Sequence, residues 1–358
     1  MDPDIQSNAL PFDRDLSDPS RLQALTGNMR QLCRAELFEV PEGPGRGART
    51  ARLSAARGFD VEVFVDRGLD LGGVSWRGVP LAWLSATGPV APALSRNESD
   101  WQRSFQGGLL TTCGLDQFGS ESVDDGETLP MHGRVHAVPA EGVRTWSETV
   151  EGRWEVGIGG RVRQASAFRE NLRLDRAITT SLGSDRLRIR DRVTNDGAEA
   201  WPHMLLYHLN FGWPLVAPGS ELAISSAPGT VSTPPHKVVP RDEAAAAGLE
   251  EWMHFEAPAP RFAEQVFRHE LPPTGHTTVR LTSPVAGMTA EIEFSSNQLP
   301  HLFQWKLLRE GTYVLGIEPA NSSGIGGRAD ARADGSLQFL APGESRDYEV
   351  SISITTPH

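Results

Sequence analysis

Short runs in which apolar and polar residues alternate recur along the chain, separated by clusters of turn residues. Val61-Glu62-Val63-Phe64-Val65 and Leu187-Arg188-Ile189-Arg190 show the pattern most plainly, the second followed by the turn Asn195-Asp196-Gly197. A period of two puts successive side chains on opposite faces of an extended backbone, so each run reads as a half-buried strand. Trp154 to Ile158, Leu172 to Thr180, Ala290 to Phe294, Tyr313 to Ile317 and Tyr348 to Ile354 are further candidates. With 36 glycines and 26 prolines among 358 residues, turns are frequent enough to keep the elements short. Many short strands at regular intervals predict an all-β fold, a large sandwich or barrel.

Helical signals are few. Asp18-Pro19-Ser20 is placed to cap a short helix over Arg21 to Leu25 that ends at Gly27, and Asp242 to Trp252 reads as a second helix. The strand signal takes over from Leu32. No repeat period, low-complexity linker or composition break divides the chain, so residues 1–358 are expected to form a single domain, with 1–30 as an N-terminal extension.

Charge narrows the partners. Asp and Glu number 46 against 34 Lys and Arg, a net charge of −12, which repels phosphate backbones and anionic lipid. Neither nucleic acid nor membrane is expected. Cys33 and Cys113 stand 80 positions apart and form no CxxC pair, so no disulfide scaffold is implied. The start, Met-Asp-Pro-Asp, lacks a basic, apolar leader, and no apolar run approaches the roughly 20 residues of a membrane span. A cytoplasmic protein is expected. Lys237 and Lys306 are the only lysines.

Three stretches concentrate titratable and aromatic residues: Gly107 to Asp116 with Met131 to His136, Trp201 to Gly212, and Gln304-Trp305-Lys306 with Leu315 to Asn321. His132 and His136 share the four-residue spacing of a zinc helix, but the Glu is missing and Gly133 disfavours a helix. His136 is better read as a strand residue bonded at the rim, and no metal is expected. No GxSxG elbow is present, Cys113 has no neighbouring base, and Gly324-Ile325-Gly326-Gly327 matches no nucleotide loop. A non-metal acid/base pair remains. His208 lies within the apolar strand Met204 to Phe211, on the same face as Asn210, and Glu318 ends the apolar strand Tyr313 to Ile317 before Pro319 breaks it. A carboxylate so placed is either paired or part of a site, because burying it alone is costly. Trp305 and Trp213 supply aromatic faces of the kind on which a sugar ring packs.

At these residues the chain resembles the aldose 1-epimerase (galactose mutarotase-like) superfamily, and more closely a bacterial aldose 1-epimerase-like branch. The resemblance runs from about Gly58 to the C-terminus. It rests on Asp66-Arg67-Gly68-Leu69-Asp70, Gly107 to Leu115, His132-Gly133-Arg134, His208-Leu-Asn-Phe-Gly, Gly316-Ile-Glu-Pro-Ala-Asn and Leu340-Ala-Pro-Gly-Glu-Ser. It implies a β-supersandwich of two large antiparallel sheets with the site on a concave face. It further implies His208 as the general acid toward the ring oxygen, Glu318 as the general base toward the anomeric hydroxyl, and His132 as the second site histidine. Arg67, Asp116, Arg134, Asn210, Gln304, Trp305 and Lys306 are the candidate sugar contacts, with Arg134 or Lys306 expected to bind hydroxyls or to hold Glu318 ionised. No cofactor is implied, and the expected partners are a small-molecule sugar and, for the assembly, a homodimer. The family's Gly-Arg-x-x-Asn-Arg stretch is replaced here by Thr-Thr-Cys-Gly-Leu, so the sugar's far contacts do not carry over.

The expected activity is interconversion of α and β anomers by ring opening and reclosure. A non-catalytic carbohydrate-binding or sugar-sensing protein, or a glycoside-processing enzyme on the same fold, stays open. The latter would need two carboxylates flanking the bond, or a Tyr/His pair with a long cleft; Glu318 has no obvious second carboxylate in sequence, with Asp116 and Asp70 the residues left open.

Overall fold

The computed structural model describes residue 16 and residues 18–92, 101–225, 236–239, 251–272 and 275–357. Two large sheets dominate, one of twelve strands and one of eight, and all strand pairings within them are antiparallel. The observed strands contain the predicted runs and lengthen most of them, except that Val61 to Val65 loses Val65 to a turn after Phe59–Phe64: Leu172 to Thr180 lies in Asn171–Ser181, and Tyr348 to Ile354 in Ser345–Thr355. The alternation sorts side chains as expected. Along Asn171–Ser181, Leu172, Leu174, Arg176, Ile178 and Thr180 are buried while the residues alternating with them are half exposed.

The main core lies between the sheets. Leu53, Val61, Leu209 and Ile317 of the larger sheet share one apolar cluster with Leu174, Ile178, Ile189 and Ile352 of the smaller. A second, smaller cluster forms on the opposite face of the larger sheet, where Met204, Leu206, Phe303, Trp305 and Ala320 meet Trp101. The candidate site belongs to this second face.

One buried polar network ties the sheets together. Arg176 of the smaller sheet reaches Asp70 Oδ1 at 2.9 Å and Asp191 Oδ2 at 2.6 Å, with all three side chains essentially excluded from solvent. Thr112 and Tyr207 of the larger sheet complete it by donating to Asp70 and Asp191. A buried charge is tolerated only when so paired. Tyr207 directly precedes His208, so the network braces the strand that carries the candidate acid.

Three local expectations are corrected. Pro319 does not break its strand, which runs Thr312–Ala320. The neighbouring strand Trp201–Phe211 pairs at Leu206 with Ala320 and at Leu209 with Ile317, leaving no paired position between them where the proline N–H would be needed. His136 lies on a 3-10 turn, Val135–Ala137, not on a strand. The first helix is Pro19–Leu25 with Asp18 capping it as expected, but Thr26 rather than Gly27 caps its end. The proposed helix from Asp242 falls, over 242–250, outside the described residues. Among the described residues no helix is long and apolar enough to cross a membrane.

Candidate functional site

His208 and Glu318 come from adjacent strands. Continuing the register from Leu206–Ala320 to Leu209–Ile317 puts His208 opposite Glu318, and directly opposed residues point to the same face. His208 Nε2 accordingly lies 3.2 Å from Glu318 Oε1. The two are in contact, yet off the angle of a true hydrogen bond, so Oε1 keeps an unfilled bonding capacity. Gly316 makes room beside them, since a Cβ there would sit 2.6 Å from Glu318 Oε1 and 2.9 Å from Trp305 Cβ.

His132 approaches from a loop, its ring centroid 5.7 Å from that of His208. Its backbone has a φ of 60°, a conformation that costs a non-glycine residue about 1–3 kcal/mol. Bonds on both sides hold it there: His132 N–H donates to Gly119 O and Gly114 N–H donates to His132 O. Gly133, at φ 74°, lets the loop press against the sheet, because a Cβ would fall 2.3 Å from Gln117 O.

Aromatic rings enclose the pair. Trp305 and Phe105 stand edge-on to His208 at 5.4 and 5.5 Å, Trp83 packs on both, and Trp101 lies 4.7 Å from His132 and 4.5 Å from His136. Nδ1 of His132, His136 and His208, Oδ1 of Asn210 and Oε1 of Glu318 are all buried without a hydrogen-bond partner. Buried polar atoms are nearly always satisfied. Five unsatisfied atoms in neighbouring side chains set this cluster apart from a fully satisfied core.

Burial sets the electrostatics. It pushes the Glu318 carboxyl up to about 8, with Glu264 adding to the rise. It pushes the imidazoles of His208 down to about 4 and of His132 to about 3, and His136 well below its ordinary value. At neutral pH the His208–Glu318 pair therefore carries one proton, resting on Glu318. The expectation that a nearby cation holds Glu318 ionised is corrected: desolvation wins.

The remaining predicted contacts divide. Trp305 joins this cluster, and Asn210 lies beside it, its Nδ2 donating to Gly108 O and His208 O. Gln304 and Lys306 alternate with Phe303 and Trp305, and Phe303 is the residue paired with Glu318, so both face the inter-sheet core. Lys306 is fully buried and donates to Glu251 O, His254 O and Glu256 Oε2; Gln304 donates to Trp252 O. They anchor the 251–256 segment. Asp116 accepts from Gln164, Trp201 and Arg328, and Arg134 pairs with Glu127, which also binds Arg328. These two belong to the clamp around Arg328. Arg67 donates to the carbonyls of His136, Ser104 and Val90, and so braces the segments that carry His136 and Trp101. Trp213 is mostly exposed. Trp83, Trp101, Phe105 and Glu264 escaped the sequence reading, although Trp101-x-x-x-Phe105 beside Gly107-Gly108 was a visible concentration of aromatics.

Cys113 and Cys33 are buried, and burial pushes the Cys33 thiol up to about 12 and that of Cys113 well above its ordinary value. Neither is a nucleophile at neutral pH. Among the described residues, no three His, Cys, Asp or Glu side chains are grouped to hold a metal ion.

The fold recurs in solved structures. A candidate aldose 1-epimerase from Klebsiella pneumoniae superposes with a TM-score of 0.77 at 23% identity, covering 90% of this chain and 83% of that one. A galactose mutarotase-like protein from Clostridium acetobutylicum gives 0.62 at 15% identity, covering 91% and 100%. Galactose 1-epimerase from Lactobacillus acidophilus gives 0.56 at 12% identity, again covering 91% and 100%. No curated protein matches the chain in sequence. Residues 45–354 match the family described as Domain of unknown function (DUF4432), and the chain belongs to that family, with a fold shared by the galactose mutarotase-like structures.

Proposed function

We propose that this protein is an aldose 1-epimerase, interconverting the α and β anomers of a sugar through His208 and Glu318. The observation that carries the reading is the buried contact of those two groups, 3.2 Å apart, among aromatic rings and unsatisfied polar atoms. In the ring-opening step the His208 imidazolium gives its proton to the ring oxygen, the C1–O bond breaks, and Glu318 takes the anomeric hydroxyl proton as the C1 carbonyl forms. Rotation about C1–C2 and reclosure by the reverse transfers give the other anomer. After opening, the proton is on Glu318 and His208 is neutral, which is the resting distribution set by burial. From rest, the proton first passes from Glu318 to the neighbouring His208, 3.2 Å away, giving the imidazolium that opens the ring. The edges and faces of Trp305, Trp101 and Phe105 offer packing for the sugar's C–H surface.

Each proton transfer contributes roughly 10²–10⁴-fold. Glu318→Gln keeps shape and polarity but cannot accept a proton, and His208→Gln cannot donate one. Each variant should retain sugar binding and lose on the order of 10²-fold or more in anomerisation rate. A sugar-binding protein without catalysis would show altered affinity alone. Retention of the wild-type rate by either variant would refute the assignment.

A further inference from the structure

Trp305 does not merely flank the site; its indole is held from outside. Its Nε1–H donates to Glu264 Oε1 at 2.7 Å, a charge-assisted bond of the stronger kind. Glu264 sits at the solvent-exposed edge, just before the strand Gln265–Glu270, which pairs with the Trp305 strand. This bond fixes the indole's polar edge, while Trp83, Phe105 and His208 pack against its ring. The orientation matters because the same ring stands edge-on to His208 at 68° and meets Trp83 and Phe105 at 6.0 and 6.3 Å.

We infer that Glu264 is a positioning residue: through its hydrogen bond it holds the Trp305 indole edge-on against His208, and it brings its own charge to the far side of that ring. The inference takes the pair as the working groups of the site, as proposed above. Glu318 is faced by His208 from the adjacent strand, by Glu264 across the indole, and by the Cys113 thiol, with His132 one ring further away. Of these, Glu264 is the group whose charge opposes ionisation of Glu318, in the same direction as burial. One exposed carboxylate thus does two jobs, one through its hydrogen bond and one through its charge.

The two jobs separate by substitution. Glu264→Gln keeps an oxygen acceptor and removes the charge; Glu264→Ala removes both. The probes are the Trp305 indole N–H resonance and the pH titration of the Glu318 side-chain carboxyl by NMR, assigned with Trp305→Phe and Glu318→Gln. Neither reading needs turnover, so the outcome is independent of whether the protein epimerises any sugar. In Glu264→Ala the indole resonance should move and the Glu318 midpoint should fall by roughly 0.2–0.7 pH unit, the effect of a solvent-screened charge. In Glu264→Gln the midpoint should fall equally while the indole resonance stays close to its wild-type position. A Glu318 midpoint unchanged in both variants would overturn the inference, even with a shifted indole, because a mere surface hydrogen bond would move the indole alone.

Discussion

Replacing Glu318 by Gln should make the protein more stable, and increasingly so as pH rises. The carboxyl titrates at about 8 in the folded chain against a reference of 4.5. Below pH 4.5 both folded and unfolded chains hold the proton, and Glu318 carries no pH-dependent burden. Above it the unfolded chain releases the proton and the folded chain retains it, so stability is lost as pH rises toward 8, at about 1.4 kcal/mol per unit. His208 has the opposite sign: its folded value of about 4 lies below the reference of 6.5, so its contribution is lost as pH falls from 6.5 toward 4. That histidine is present in both proteins, and its effect cancels from their difference. Between pH 5 and pH 8 the advantage of Glu318→Gln over wild type should grow by about 3–4 kcal/mol, a ceiling because an ion pair with His208 relieves part of the strain. Urea midpoints of both proteins at pH 5, 6, 7 and 8 measure it. Parallel curves, or a wild type that gains on the variant as pH rises, would mean that Glu318 is held ionised and would refute the electrostatic argument.

The pH dependence of kcat/KM should be bell-shaped, with limbs near 4 and 8 that belong to the pair, because only the singly protonated form can both give and take a proton; a single ascending limb near 6.5 would contradict it. Arg176→Ala strands the buried carboxylates of Asp70 and Asp191 and should cost about 3–5 kcal/mol in denaturant unfolding, whereas a loss below ~1 kcal/mol would show that the network does not join the sheets. Lys306→Met leaves the carbonyls of Glu251 and His254 without their donor, so it should lower stability by roughly 2–4 kcal/mol while the KM for sugar stays within about twofold in the folded fraction. A raised KM with unchanged stability would restore Lys306 as a sugar contact.

The strands were legible because alternation is a local signal, and one sheet face buried against another imposes it directly. The shared face of His208 and Asn210 was equally legible, whereas that of Glu318 and Trp305 emerged only with the Phe303–Glu318 pairing. What alternation could not convey is which of two buried faces holds the site. Both faces of the central strands are covered, one by the second sheet and the other by the Trp101 to Phe105 segment, so Lys306 and Trp305 looked equally eligible from sequence alone. Arg67 and Asp116 misled for a related reason. A charged residue in a motif is as readily a brace for backbone carbonyls, or a partner in a buried clamp, as a contact for substrate. His132 was legible only through the family resemblance, for its position depends on a left-handed turn at His132-Gly133 and on the distant carbonyls of Gly119 and Gln117.

The central claim is that His208 and Glu318 move protons on a sugar. Magnetisation-exchange NMR between anomeric resonances, run across a panel of aldoses in a buffer that does not itself catalyse mutarotation, tests it most directly. At least one aldose should show α–β exchange that the wild-type protein accelerates and that returns to nearly the spontaneous rate with Glu318→Gln. Exchange at the spontaneous rate for every aldose, including any sugar shown to bind, would contradict it and leave a protein that holds sugars without turning them over.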